Sequence, residues 1–187
     1  IIHEEYHSPA FAKTGGPFRM IQLWVNLPAK DKMAPSGYQA ITSADIPVVK
    51  LPNDAGIARV IAGEMLGTKG PAKTFTPINM WDVRLTRDAD VTLDLPAGHT
   101  ALITVLSGHI TINGDTEAGE AEVVLLGTDG EGATIHANGD ATLLVLTGEP
   151  IDEPIFGHGP FVMNTEKEIR QAIDDFNKGQ FIHPPAA

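Results

Sequence analysis

Between residues 57 and 146 the chain is a succession of short apolar runs, each stopped by a turn cluster, and this punctuation constrains the fold more than any other feature. The runs fall at 57–62, 80–85, 91–95, 101–106, 109–112, 122–126, 133–137 and 142–146, each of strand length and rich in Val, Ile, Leu and Thr. Such residues suit a pleated, half-buried surface. Gly63, Pro96-Ala97-Gly98, Ser107-Gly108, Asn113-Gly114 and Asn138-Gly139 separate them. Asparagine and glycine tolerate positive φ, so each Asn-Gly pair signals a tight turn. Val91-Thr92-Leu93-Asp94-Leu95 alternates cleanly, with one apolar and one polar face. The expectation is an all-β protein whose short antiparallel strands close into a jelly-roll sandwich or barrel.

At 187 residues the chain is long enough for one large domain, or for a domain and part of another. Its formal net charge is −11 and it has no basic run, so the electrostatic footprint for nucleic acid or an anionic membrane is missing. The absence of cysteine removes disulfides, thiolate metal sites and thiol nucleophiles, and any metal must use nitrogen and oxygen donors. No apolar run approaches a membrane span and nothing resembles a signal peptide. A cytoplasmic protein without direct nucleic-acid or membrane contact is expected. Neither a Gly-x-x-x-x-Gly-Lys phosphate loop nor a Gly-x-Ser-x-Gly elbow is present. Lys30, Lys32 and Arg84 read as solvated surface charges.

The two ends of the chain read differently. In the opening Ile1-Ile2-His3-Glu4-Glu5-Tyr6-His7, strand alternation puts His3, Glu5 and His7 on one face. An imidazole and a carboxylate together suit a first-row transition metal if further ligands arrive from elsewhere. The same pattern also fits a solvated terminus with a few charges. Residues 8–17 read as a loop, 20–26 as an apolar strand, and 27–35, polar and bounded by prolines, as a linker. Near the other end, Thr165-Glu166-Lys167-Glu168 fits a capping box, and Ile169, Ala172, Ile173 and Phe176 recur at helical spacing until Gly179. This predicts an amphipathic helix of about three turns, its apolar stripe docked on the β core.

Five strings carry a family resemblance. They are Ile2-His3-Glu4-Glu5-Tyr6-His7-Ser8, Gln22-Leu23-Trp24-Val25-Asn26-Leu27-Pro28-Ala29-Lys30, Gly70-Pro71-Ala72-Lys73, Gly148-Glu149-Pro150-Ile151-Asp152-Glu153-Pro154 and Gly159-Pro160-Phe161-Val162-Met163-Asn164-Thr165. In this order, spread over nearly the whole chain, they make it resemble the pirin family of the cupin superfamily. The resemblance implies a bicupin, with a metal, usually iron, held in the N-terminal cupin by a His-x-His pair and a later His-x-Glu pair. It assigns residues 1–27 to the remainder of that metal-binding cupin, 28–55 to a linker and interdomain segment, and 56–187 to a metal-free C-terminal cupin with a terminal helix.

On this pattern His3 and Glu5 match the His-x-Glu pair as metal ligands. His7 shares their face but reads as a pocket residue or a polar strand end ahead of a ligand. No His-x-His occurs in the chain, so the expectation is half a metal site, with open sheet edges and the family's upstream segment as a partner. In the C-terminal cupin the slots of the usual metal motif hold Leu95, Ala97 and Ala101. His99 reads as a loop residue. His109 and His136, without carboxylates at ligand spacing, read as structural or exposed, and His158 as lining a domain interface.

The resemblance implies a metal-dependent quercetin 2,3-dioxygenase-like activity that opens the heterocyclic ring of a flavonol-like small molecule with oxygen. The cofactor would be iron or another divalent transition metal, and Glu5 would be both ligand and catalytic base. The alternative is a non-enzymatic, iron-dependent regulatory protein that senses redox state and binds other proteins, which the acidic charge suits better than DNA.

Overall fold

A computed structural model describes residues 2–181. Helix α1 is Pro9–Thr14, and fourteen strands follow, of which the first twelve are β1 Val48–Lys50, β2 Gly56–Ala62, β3 Glu64–Met65, β4 Thr68–Lys69, β5 Ile78–Leu85, β6 Asp90–Asp94, β7 Thr100–Ser107, β8 His109–Ile112, β9 Thr116–Gly119, β10 Val123–Leu125, β11 Gly132–Ala137 and β12 Ala141–Gly148. Hairpin β13 Phe156–His158 and β14 Phe161–Met163 leads into helix α2, Glu166–Asn177. The chain divides into two compact units, one drawn from Ile1–Tyr38 and Ile151–Ala187, the other Gln39–Pro150.

The unit Gln39–Pro150 is a two-layered antiparallel sandwich, with a six-stranded sheet in the order β1-β2-β5-β12-β7-β10 and a four-stranded sheet in the order β6-β11-β8-β9. Burial alternates along the strands as the pleat demands. In β6, Val91 and Leu93 are buried while Asp90, Thr92 and Asp94 face water. Val60, Val83, Leu93, Ile103, Val105, Ile110, Ile112, Ile135, Leu143 and Val145 fill the space between the sheets. Each of the eight strands expected in residues 57–146 is found, most of them one or two residues longer or shorter than expected. Gly63 shows why some turns admit only glycine. Its φ is +72°, and a Cβ there would lie 1.9 Å from Asn79 Oδ1.

Three expectations about the flanks change. Residues 8–17 contain α1 instead of a plain loop, because Ser8 Oγ accepts the Phe11 N–H at 3.2 Å and Pro9 sits where its missing N–H costs nothing. Residues 2–7 and 20–26 have no regular secondary structure and join no ladder among the described residues. An alternating pattern becomes a strand only when a neighbour takes its backbone hydrogen bonds. Met20 and Trp24 accordingly remain 60% and 68% exposed.

Helix α2 forms as expected. Thr165 Oγ1 accepts the Glu168 N–H at 3.2 Å, and the Glu168 carboxylate reaches back to the Asn164 N–H at 3.2 Å and the Thr165 hydroxyl at 2.8 Å. Gly179, at φ +70°, ends it. Its N–H donates to Phe176 O and that of Gln180 to Asp175 O, the paired bonds of a Schellman stop. The apolar stripe of α2, expected on the β core, instead meets the β13–β14 hairpin of its own unit, because that hairpin offers the aromatic surface: Phe161 meets Phe176 and Phe181 with ring centroids 6.0 and 5.4 Å apart. No helix among the described residues is long and apolar enough to cross a membrane.

Candidate functional site

Contacts two residues apart sort the opening side chains into two sets. Tyr6 donates its hydroxyl to Glu4 Oε2 at 2.6 Å, and that bond holds the Tyr6 phenol above its ordinary pKa. On the other side His3 Nε2 and Glu5 Oε1 stand 3.7 Å apart, both exposed. His7 turns instead to an aromatic cluster, stacked on Phe11 at 5.6 Å and edge-on to Phe18 at 4.9 Å. Its ring therefore packs as an aromatic side chain.

His3 and Glu5 share a groove of about 390 Å³ with Met20, Ile21, Gln22, Leu23 and Trp24. The sequence places the pair by its two-residue spacing, but nothing local announced that 20–24 would face it. The donor chemistry fits part of a metal site. An imidazole nitrogen and a carboxylate oxygen 3.7 Å apart can both reach one cation at about 2.0–2.2 Å from each. Two donors are not a complete site, and no group of three or more His, Asp or Glu side chains among the described residues is arranged to hold a metal.

Three of the resemblance strings meet at Glu153. Its Oε2 accepts the Ala29 N–H at 2.6 Å and Asn164 Nδ2 at 2.9 Å, tying the segment after Trp24 to the hairpin–helix junction. Sequence reading missed this carboxylate, whose only signal was its place in a recurring string.

In the sandwich, the slots at Leu95, Ala97 and Ala101 carry no metal-binding atoms, and Leu95 and Ala101 pack into the aliphatic core. His109 and His136 are partly exposed, as read from the sequence, and each also meets a carboxylate that linear spacing does not show. His136 Nδ1 lies 2.9 Å from Asp90 Oδ1, and His109 Nε2 lies 3.9 Å from Glu117 Oε2. These partners sit on adjacent strands, so linear spacing hides them. Both histidines lie on the solvent face, and neither pair brings a third ligand. His158 is exposed on β13, opposite Phe161. His99 is half-buried in the β6–β7 loop, its Nδ1 3.3 Å from Thr147 Oγ1.

Two antiparallel sheets closed over an aliphatic core, with the strand order of a jelly roll, define the sandwich as a cupin. The family model for the Pirin C-terminal cupin domain matches residues 80–182. The chain is 53% identical over 182 residues to "Putative quercetin 2,3-dioxygenase" of Pseudomonas aeruginosa, a match covering 97% of this chain and 63% of that protein. It is 38% identical over 168 residues to human pirin, covering 88% of this chain and 57% of pirin. The crystal structure of a quercetin 2,3-dioxygenase from Acinetobacter baumannii superimposes with a TM-score of 0.90 at 48% identity, covering 94% of this chain and 61% of that one. The chain belongs to the pirin family. It spans about 63% of the length of the Pseudomonas relative.

Proposed function

We propose that this chain forms part of a pirin-type dioxygenase that cleaves the heterocyclic ring of a flavonol-like substrate. The observation that carries the reading is the His3–Glu5 pair, 3.7 Å apart, opening on a groove with Met20 and Trp24 among its walls. The names of the Pseudomonas and Acinetobacter relatives support it. His3 and Glu5 would supply one nitrogen and one oxygen donor to a divalent transition metal, for which iron is the family's usual choice, and the family's His-x-His pair would supply the rest. Once bound, the metal would act as a Lewis acid on a substrate oxygen. Glu5 accepts the proton of the flavonol 3-hydroxyl, and the apolar side chains of the groove hold the flat rings and exclude water. Both atoms of dioxygen enter the ring-opened product, and one ring carbon leaves as carbon monoxide.

The test is flavonol loss together with carbon monoxide release in metal-replete protein of full family length. Glu5→Ala should abolish both. Unchanged consumption in that variant would overturn the assignment.

A second reading, a metal-dependent regulator of other proteins in the cytoplasm, draws on the net charge of −11, which favours protein over nucleic-acid partners. Capture of one defined partner under oxidising but not reducing conditions, without flavonol turnover, would favour it over the enzyme.

A further inference from the structure

The sandwich holds a second cleft that the proposed dioxygenase chemistry does not use. Its walls are the β6–β7 and β10–β11 loops, joined where the Gly98 N–H donates to Thr128 O at 3.1 Å and the Leu95 N–H to Glu131 O at 2.9 Å. Asn113 closes a third side. Its φ is +53° and its Oδ1 accepts the Thr134 N–H at 3.0 Å, while its Nδ2 has no protein partner among the described residues. The space is about 190 Å³, with Leu95, Ala101 and Leu126 as apolar walls and His99, Asn113 and Asp129 as polar ones.

The way His99 is held distinguishes this cleft from an ordinary surface dimple. Thr147, only 3% exposed, is the one polar side chain in the buried set of the described residues. Asn79, on β5 and paired with Thr147 of β12, bridges to its neighbours, its Oδ1 accepting the Glu64 N–H at 3.1 Å and its Nδ2 donating to Thr147 Oγ1 at 3.0 Å. Gly63 leaves the room that Asn79 needs. The Thr147 proton finds one acceptor among the described residues, His99 Nδ1. A buried hydroxyl left without an acceptor is costly, so the proton goes there and the imidazole carries its own hydrogen on Nε2. A four-residue relay thus fixes the tautomer of a histidine that lines a cleft.

We propose that this cleft binds a compact neutral single-ring molecule. An oxygen of the ligand would accept from His99 Nε2–H and Asn113 Nδ2–H, and a ligand hydroxyl would donate to the Asp129 carboxylate. Pockets for drug-sized ligands run to about 300–1,000 Å³, so a volume of about 190 Å³ suits one substituted ring and excludes a three-ring flavonol. No Lys or Arg lines the cleft, and Asp129 disfavours anions. Two neutral donors and one carboxylate form a weak cation site. The proposal is independent of the dioxygenase reading.

The test is titration of 4-hydroxyacetophenone into the 15N-labelled chain, followed by amide and histidine ring NMR, with 4-hydroxybenzoate as the anionic comparison. Saturable shifts should centre on His99, Asn113 and Gly127, and the anion should bind more weakly. His99→Ala should weaken binding about tenfold, the equivalent of about 1.4 kcal/mol. Thr147→Val, acting on a positioning residue, should weaken binding and alter the 15N signature of the His99 tautomer. Absence of saturation overturns the proposal, as does unchanged affinity in a folded His99→Ala protein, which would mark His99 as a loop anchor only. If His99→Ala fails to fold, Asn113→Gly decides, since glycine accepts φ +53° readily, and unchanged affinity there is equally fatal.

Discussion

Glu5 Oε1 lies 3.7 Å from His3 Nε2, while one residue away Glu4 and Tyr6 are bonded to each other at 2.6 Å. The two i,i+2 contacts thus separate a donor pair that can share a cation from a pair that satisfies itself. Metal affinity rises with ligand number and fixed geometry, so two exposed donors bind weakly. In anaerobic calorimetry, Fe(II) or Ni(II) added to the 187-residue chain should bind with low affinity, and His3→Ala should remove that binding. A tight complex indifferent to His3→Ala would place the metal elsewhere.

The chain has two tyrosines, so Tyr38→Phe leaves Tyr6 to be followed alone. The hydrogen bond to Glu4 favours the protonated phenol and raises the Tyr6 pKa. The sign follows: any stabilisation from this bond is present below the unfolded-state pKa and is lost as pH rises through the raised one. Alkaline ultraviolet titration of the Tyr38→Phe chain should show Tyr6 ionising above the ordinary tyrosine range, and adding Glu4→Ala should bring it back towards its ordinary value. A Tyr6 titration that Glu4→Ala leaves unmoved would count against the Glu4–Tyr6 pairing.

Gly63→Ala tests the relay behind the second cleft. The new methyl carbon would meet Asn79 Oδ1 at 1.9 Å and Ile78 O at 2.6 Å, and the residue would be held at φ +72°. Strain and broken hydrogen bonds should together cost on the order of 2–4 kcal/mol in urea unfolding, and Asn79 should release Thr147. A loss under about 0.5 kcal/mol, the range of neutral surface changes, would show that the loop relaxes freely.

Thr165→Ala removes the side-chain oxygen that accepts the Glu168 N–H and the hydroxyl that donates to the Glu168 carboxylate. A lost N-cap costs about 1 kcal/mol, and Thr165→Ser should keep most of it. Amide exchange should quicken in the first turn of α2 before it does in the sandwich. Uniform acceleration across both would mean that the cap stabilises more than its own helix.

The core strands and α2 were legible because their signals are local. Alternation, Asn-Gly turns and a capping box act over a few residues, and the backbone follows them wherever partners exist. Residues 20–26 carry the same apolar signal, yet they form no ladder among the described residues, since a strand is completed by its neighbour. The site divides along the same line. His3 and Glu5 could be named from spacing and family resemblance, but the walls at Met20 and Trp24 could not, because they come from a separate stretch of chain. The carboxylates facing His109 and His136 were hidden for the same reason, each lying on another strand.

Composition and local pattern alone thus committed this chain to antiparallel strands and a capped helix, and limited the donors open to any metal to nitrogen and oxygen, since each depends on residue type and on neighbours within a turn or a pleat. Tertiary structure decided which face each histidine meets, that α2 rests on the β13–β14 hairpin, and that a buried threonine orients His99 into a cleft. Those outcomes depend on residues as far apart as Asn79 and Thr147, and only the closed sheets bring such residues within hydrogen-bonding distance.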